Sequence, residues 1–260
     1  ARGRCAQGHA MTARRFALYA GIGIAIYLAT LAVTIPAPWA GSALERISGQ
    51  RLQLREPAGS LWAGSGRLYA SPRAGPLREL GVLRWRTSWA GILGARLAVD
   101  VTLGTAKPAV VLLSPGGAAI RGVDLMLPAR IIASFVPEFD SFGPGGQLRL
   151  RSDDMRFDRD SILGLAELEW RDVQLARMPG IGLGSHVVRL RGAGGKVNIE
   201  LATIDGPLRL SGSGTWTRSA GLSLSGAAEH DAQSAPAFAA FLTGMCPRYR
   251  GNRCTFQIRQ

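Results

Sequence analysis

The sequence contains few of the residues from which catalytic or metal sites are usually built. It has only three histidines and three cysteines. No cysteine and no acidic cluster lies at metal-ligand spacing from His186 or His230. We therefore expect their imidazoles to be packed or exposed rather than to bind a metal. No nucleophile with a nearby base and no paired carboxylates are recognisable. We therefore expect a protein that is not an enzyme and has no catalytic, cofactor-binding or metal site.

Two segments look superficially like ligand-binding loops. In the acidic run 153–160, Arg156 occupies a position where a calcium loop needs an oxygen ligand, and no terminal glutamate follows. The glycine-rich segment 180–185 lacks both the spacing of a dinucleotide-binding loop and the lysine of a nucleotide-binding loop. We therefore expect a solvated loop in the first case and no phosphate site in the second.

Lysine is almost absent, although the chain carries a formal net charge of +13. The arginines alternate with apolar residues, as in the segment 148–151, and no run of five like charges occurs. This pattern is typical of the solvated face of a strand, and we favour that interpretation over a dedicated basic patch. The charge also suits anionic lipid headgroups or an acidic partner, whereas nucleic acid is not an expected partner.

One long uncharged segment runs from Phe16 to Ile35 and is followed by Pro36 and Trp39. About 20 apolar residues in a helix cross a bilayer, and the four arginines before the segment favour a cytoplasmic N-terminus. We predict a cytoplasmic tail at 1–15, a transmembrane helix at 16–36 and a domain at 37–260 on the other side of the membrane. A signal peptide cleaved near residues 40–43 and a buried core helix are the alternatives.

Beyond this segment the hydrophobic pattern has a period of two. Val197, Ile199 and Leu201 alternate with polar residues, and turn-forming Gly, Pro and Asp recur every ten to fifteen residues. This predicts a mainly β domain built as an antiparallel meander. Several of the 34 glycines lie inside strand patterns, among them Gly64 and Gly212. Because strand glycines mark kinks, we predict a strongly curved sheet that resembles a half-barrel.

Two short helices are expected to interrupt the strands. The segment 128–135 has a proline near its first turn, and 234–244 begins with an N-cap serine and ends at a glycine. We interpret both as plugs over the open face of the sheet; helices that bind a partner are the alternative.

The three cysteines are expected on different sides of the membrane. Cys5 lies in the predicted cytoplasmic tail, where thiols stay reduced. Cys246 and Cys254 flank a turn-forming segment with Pro247 and Gly251, which favours a disulfide between them. Because the closed loop is short, the disulfide would stabilise the fold by less than about 3 kcal/mol. A metal site is the competing hypothesis, but two cysteines do not complete a tetrahedral ligand set.

A motif close behind the hydrophobic segment is more specific. The residues Gly59, Ser60, Leu61, Trp62, Gly64 and Gly66 form a G-S-L-W-x-G-S-G run. Together with the basic tail, the single helix and the all-β domain, this run resembles the first strands of the type II secretion system protein N family. The segments 206–216 and 222–227, with the helix expected after them, are similar to that family's closing portion, whereas the pair of cysteines departs from the family pattern. By itself the motif is also compatible with a generic β-bend around a buried tryptophan.

The resemblance implies a non-catalytic inner-membrane accessory subunit that supports export of folded proteins from the periplasm across the outer membrane. It implies no cofactor and no catalytic residue. Its partners would be other subunits of the secretion system, with inner-membrane components and the secretin as candidates. The alternative is an AsmA-like periplasmic protein that binds lipid in an apolar groove. The candidate lining residues of that groove are Leu168, Trp170, Leu208, Leu210 and Trp216.

Overall fold

The computed structural model describes residues 7–71, 76–91, 94–135, 141–230, 249–250 and 252–259. Helix α1 spans Gln7–Val33, and α2 spans Pro38–Ile47. The short helix α3 spans Ile132–Phe135 and directly follows a 3-10 turn. This helix confirms the first of the two helices predicted inside the β domain. The second, at 234–244, lies outside the described residues.

The described strands form one antiparallel sheet. Their order across the sheet follows the chain from β1 to β12, after which β14 pairs with β12 and β13 lies outermost. The predicted mainly β meander is therefore confirmed. The strands are β1 Leu52–Gly59, β2 Ala63–Ala70, β3 Arg78–Ser88, β4 Leu97–Leu103, β5 Ala109–Ser114, β6 Gly117–Pro128, β7 Pro144–Asp158, β8 Ile162–Leu175, β9 Gly184–Gly194, β10 Lys196–Asp205, β11 Leu208–Thr217, β12 Gly221–His230, β13 Tyr249–Arg250 and β14 Arg253–Arg259.

Side chains alternate between an apolar and a polar face, as the period of two predicts. Across β7 to β10, one row of partners is Leu150, Leu168, Val188 and Leu201, and the neighbouring row on the other face is Arg151, Glu167, Arg189 and Glu200. In the second row Arg189 Nε donates to Glu167 Oε2 at 3.1 Å. Cross-strand ion pairs of this kind explain why arginine alternates with leucine in these strands.

The predicted strong curvature is wrong, because the sheet is open and not strongly curled. The glycines behind that prediction lie in continuous register with their neighbours: Gly64 faces Trp85, and Gly212 faces Gly226. They leave space for other groups instead of bending the strand. A Cβ atom on Gly64 would lie 2.6 Å from Trp85 Cζ2, and one on Gly226 would lie 2.5 Å from Phe256 Cζ.

Helix α1 differs from the predicted span 16–36, since it begins nine residues earlier, at Gln7, and ends at Val33. It cannot continue to Pro36, because Ile35 and Pro36 are held in extended contacts with the β1–β2 turn and proline disfavours helix at the preceding residue. In the part of the chain that the structure describes, no helix meets the length and apolarity needed to cross a bilayer. The transmembrane helix of the predicted fold is thus not found.

Most of the buried apolar residues that the structure describes form three clusters. The largest joins β8, β11, β12 and β14, the second joins β2 and β7 through the turn before α3, and the third joins α2 with β1 and β3. Their buried members are Val173, Leu175, Met178, Leu183, Leu208, Ala228 and Cys254 in the first, Ala70, Ala129, Ile131 and Leu148 in the second, and Ala37, Leu54 and Trp85 in the third. The third, which we call the α2 cluster, lies directly beneath the sequence motif.

Candidate functional site

The motif forms the turn between β1 and β2, which we call the motif turn, residues 59–62. Gly59 ends β1 with a φ of +94°, and a Cβ atom there would lie 2.5 Å from the carbonyl oxygen of Ala63. Only glycine fits this position without strain. Ser60 Oγ accepts a hydrogen bond from the Ala63 amide at 3.2 Å, so the serine closes the turn.

The motif turn holds the segment that follows α1. The Leu61 amide donates to the carbonyl oxygen of Ile35 at 2.8 Å, and the Ala37 amide donates to Gly59 at 3.2 Å. Pro36 forms a β-bridge with Ser60. These contacts fix the end of α1 to the turns at one end of the strands. We call this end of the sheet the helix-side edge, which is distinct from the hydrogen-bonding edge at β1. The turns between β3 and β4, β5 and β6, and β7 and β8 lie on the same side, because the strands alternate in direction.

The buried tryptophan beneath the motif comes from β3. Trp85 is 9% exposed, and its Nε1 donates to the carbonyl oxygen of Leu61 at 3.0 Å. Its ring lies against Gly64, which explains the first glycine of β2 in the motif. Leu54 occupies the space left by Gly66, since a Cβ atom on Gly66 would lie 2.8 Å from Leu54 Cδ1. The motif residues thus meet partners from β1 and β3 that lie outside the motif.

Trp62 itself is only half-buried and packs against Trp89, with ring centroids 4.4 Å apart and ring planes inclined at 55°. Trp89 remains 42% exposed. The interpretation of the motif as a bend around a buried tryptophan is therefore right in form, but the buried ring is Trp85 rather than Trp62. The sequence contained one signal for this: Leu83, Trp85 and Thr87 alternate with arginines along β3.

The titratable residues do not assemble into a metal-binding cluster anywhere in the described ranges. In the acidic run, Asp154 lies within β7 rather than in a loop, and its Oδ2 contacts Arg156 at 3.1 Å and Arg121 at 3.6 Å. The run turns only after Asp158, where Ser161 Oγ donates to the carboxylate. The expected solvated loop is thus mostly strand, because the pairing of β7 with β6 continues to Asp158.

His186 is the most unusual titratable group in the described residues. It is 5% exposed, its Nδ1 lies 3.0 Å from Thr203 Oγ1, and its Nε2 has no hydrogen-bond partner among the described groups. Burial lowers the pKa of His186, an effect that Asp205 partly opposes. Protonation of this imidazole is therefore costly in the folded protein.

We expect the free energy of unfolding to decrease as the pH falls below about 6.5, the pKa of histidine in an unfolded chain. Because the pKa of folded His186 lies below that value, the unfolded state binds the proton first, and stability is lost towards the folded pKa. Urea unfolding at pH 7.5 and 5.5 should show a smaller decrease for His186→Leu than for the wild-type chain. Equal decreases in the two proteins would contradict this assignment.

Cys254 is fully buried and disulfide-bonded. Cys246 lies outside the described residues, so its pairing with Cys254 stays a prediction. A mass measurement of the intact protein, alkylated in denaturant without reductant, should show both residues unmodified, and the Cys5→Ser variant should then show no alkylation at all. Alkylation of Cys246 and Cys254 would exclude the disulfide.

The residues proposed to line a lipid groove mostly pack against the protein's own core. Leu208 belongs to the largest cluster, and Leu210 packs against it. Leu168 packs against the second cluster, while Trp170 contacts both clusters and donates from Nε1 to the carbonyl oxygen of Gly145 at 2.9 Å. The structure therefore uses four of these five side chains for internal packing.

Comparisons with known proteins agree with the motif. Searches of curated proteins and of solved structures gave no match. A family model described as type II secretion system (T2SS), protein N, matches residues 50–253, which is most of the chain. The match begins just before β1 and reaches the first residue of β14, so it covers nearly the whole sheet. The chain belongs to the type II secretion system protein N family.

Proposed function

We propose that this protein is a non-catalytic accessory subunit of the type II secretion system that supports export of folded proteins from the periplasm across the outer membrane. The observation that carries the proposal is the extent of the family match, which includes the motif turn and the sheet. A sheet with an accessible edge binds other proteins by accepting an additional strand. The expected partners are other subunits, either inner-membrane components or the secretin.

Strand β1 lies at one edge of the sheet, and α2 packs against it. Among the described residues it pairs with β2 alone, and residues 52–55 pair in continuous register before a bulge at Glu56 and Pro57. The bulge and the proline exclude strand addition beyond Arg55. In the first half of β1 the Leu52 amide donates to Ser48 Oγ at 3.1 Å, and Gly41 of α2 lies against Leu54, so a partner strand has to displace this end of α2. Arg51 and Arg55 are exposed and favour an acidic partner strand.

A site-specific cross-linker tests this contact. A photoreactive amino acid at Arg55, introduced in cells that are actively secreting, should capture another secretion subunit, whereas the same group at Thr105 in the β4–β5 turn should not. Thr105 is also exposed, but it lies in a turn between two internal strands and not on β1. If no secretion subunit is captured at Arg55 or in a co-purification in mild detergent, the proposed role is contradicted.

We also propose that the segment 16–36 attaches the protein to the inner membrane, with the N-terminus in the cytoplasm and the sheet in the periplasm. Large apolar side chains of α1 support the proposal, since Phe16 is 77% exposed and Tyr27 is 64% exposed in the isolated chain. Exposed apolar surface of this extent is typical of a site that contacts lipid or protein. Resistance of the protein to carbonate extraction tests the attachment, and release by carbonate would contradict it.

Lipid binding by the β domain is a second candidate. The apolar row across β7 to β10, which includes Leu168 and Val188, is only half-buried in the described structure. Native mass spectrometry of the purified protein should detect a copurifying lipid if this row forms a binding groove. Absence of lipid would leave the accessory role as the better explanation.

A further inference from the structure

The helix-side edge combines two features that are typical of proteins at a membrane surface, namely exposed indole rings and arginines. Trp89 is 42% exposed and packs against the half-buried Trp62, and Trp39, three residues after Pro36 at the start of α2, is 67% exposed. Tryptophan is enriched where a protein meets the headgroup region of a bilayer. The rings therefore mark this edge as a candidate contact with lipid.

The tether between α1 and this edge is short. Only two residues, Thr34 and Ile35, lie between Val33, the last residue of α1, and Pro36, which forms the bridge with Ser60. A chain segment of this length spans about 10 Å at most. The headgroup region of one leaflet is roughly 5–7 Å thick, so a helix that ends at the edge of the hydrocarbon places the motif turn at or near the headgroups.

A basic groove continues the same edge beyond the tryptophans. It has a volume of about 450 Å³ and lies between the end of β5, the start of β6 and the end of β7. Arg96, Arg121 and Arg156 line it, with Leu112 and Ala119 among its apolar lining residues.

The arginines outnumber the acids around this groove. Arg121 and Arg156 share a single carboxylate oxygen of Asp154, and Asp158 is the only acid among the lining residues. In the described part of the chain Arg96 makes no ion pair. The groove therefore has an excess of positive charge, and its lining combines arginine with apolar side chains. This combination fits a phosphate group attached to an acyl chain.

We propose that the helix-side edge, defined by Trp62, Trp89, Arg96, Arg121 and Arg156, docks on anionic phospholipid headgroups of the bilayer. The proposal rests on the inner-membrane attachment proposed above and adds a second contact to it. The contact holds the sheet with its strands pointing away from the membrane, because the helix-side turns lie against the lipid.

Fluorescent labels at the two ends of β4 test the docking. The Cys5→Ser chain is reconstituted in vesicles of phosphatidylglycerol and phosphatidylcholine. A fraction of the lipid molecules carries a nitroxide on the headgroup. Bimane is attached at Ala90→Cys, in the β3–β4 turn, or at Thr105→Cys, in the β4–β5 turn. Both positions are exposed. The seven residues of β4 separate the two turns by about 23 Å.

The nitroxide should quench the label at Ala90 strongly and the label at Thr105 weakly. Arg96→Gln should lower the ratio of docked to undocked protein about fivefold. Each arginine near an anionic surface contributes about 1 kcal/mol, which corresponds to a factor of about five. Vesicles of phosphatidylcholine alone should also lose most of the difference between the two labels.

Carbonate extraction of the same vesicles separates this inference from the proposed attachment. Equal quenching of the two labels in a chain that resists carbonate overturns the docking and leaves the attachment intact. Quenching confined to Ala90 in a chain that carbonate releases supports the docking and overturns the attachment. A released chain with no quenching at Ala90 overturns both.

Discussion

Replacing Trp85 with alanine should lower the free energy of unfolding by about 3–5 kcal/mol, the range for removal of a buried aromatic side chain. Trp85 fills the α2 cluster between Ala37 and Leu54, and its Nε1 donates to the carbonyl oxygen of Leu61. The substitution leaves a cavity beneath the motif turn and removes the hydrogen bond that ties β3 to it. Urea unfolding followed by far-ultraviolet circular dichroism measures the change.

Trp89→Ala is the matched control. It removes an indole from the same strand region, but Trp89 is 42% exposed and packs mainly against Trp62. Loss of the contact between the two rings should lower the free energy of unfolding by about 0.5–1.5 kcal/mol, in addition to the small contribution of the apolar area that Trp89 buries. If the two variants are equally destabilised, Trp85 does not have the structural role assigned to it.

The strands could be predicted from the sequence because their pattern depends on local alternation. In β10, Val197, Ile199 and Leu201 face the apolar side, and in β8 Leu168 pairs with Leu150 on the same side. Each strand has one apolar face, so the period of two is visible without knowledge of the partner strand. Glycine-containing turns then join neighbours in sequence order, which is why the meander was also predictable.

The shape of the sheet could not be predicted in the same way. The space beside a strand glycine belongs to a residue on another strand: Trp85 for Gly64, Leu54 for Gly66 and Phe256 for Gly226. A sequence shows the missing side chain but not the group that occupies its place. Glycine as a kink and glycine as a space for a neighbour therefore look identical in the sequence, and the predicted curvature was wrong.

The motif located the candidate site in the sequence, but the sequence did not show which residues the motif contacts. Gly59 and Ser60 were expected at a tight bend, and they form one. The bridge between Ser60 and Pro36 joins residues 24 positions apart, and it depends on how α1 ends rather than on the hairpin. Because of this bridge, the motif turn connects helix and sheet, which gives the motif a mechanical role that a generic β-bend lacks.

Replacing Gly64 with valine should lower the free energy of unfolding by about 3 kcal/mol, the upper end of the usual range for overpacking. The new Cβ atom would lie 2.6 Å from the carbonyl oxygen of Ala58 and 2.6 Å from Trp85 Cζ2, and the first of these is backbone in the paired strand. Relief requires β1 and β2 to separate, which also disturbs the hydrogen bond from Leu61 to Ile35. Urea unfolding again gives the magnitude.

Gly116→Val controls for the change in residue type, because a Cβ atom on Gly116 meets nothing within 4 Å. This variant should remain within about 0.5 kcal/mol of the wild-type chain. A double variant identifies the cause: Trp85→Ala should relieve part of the clash in Gly64→Val, so the combined loss should be smaller than the sum of the two single losses. Strict additivity would show that the ring and the glycine are not coupled and would contradict the packing beneath the motif turn.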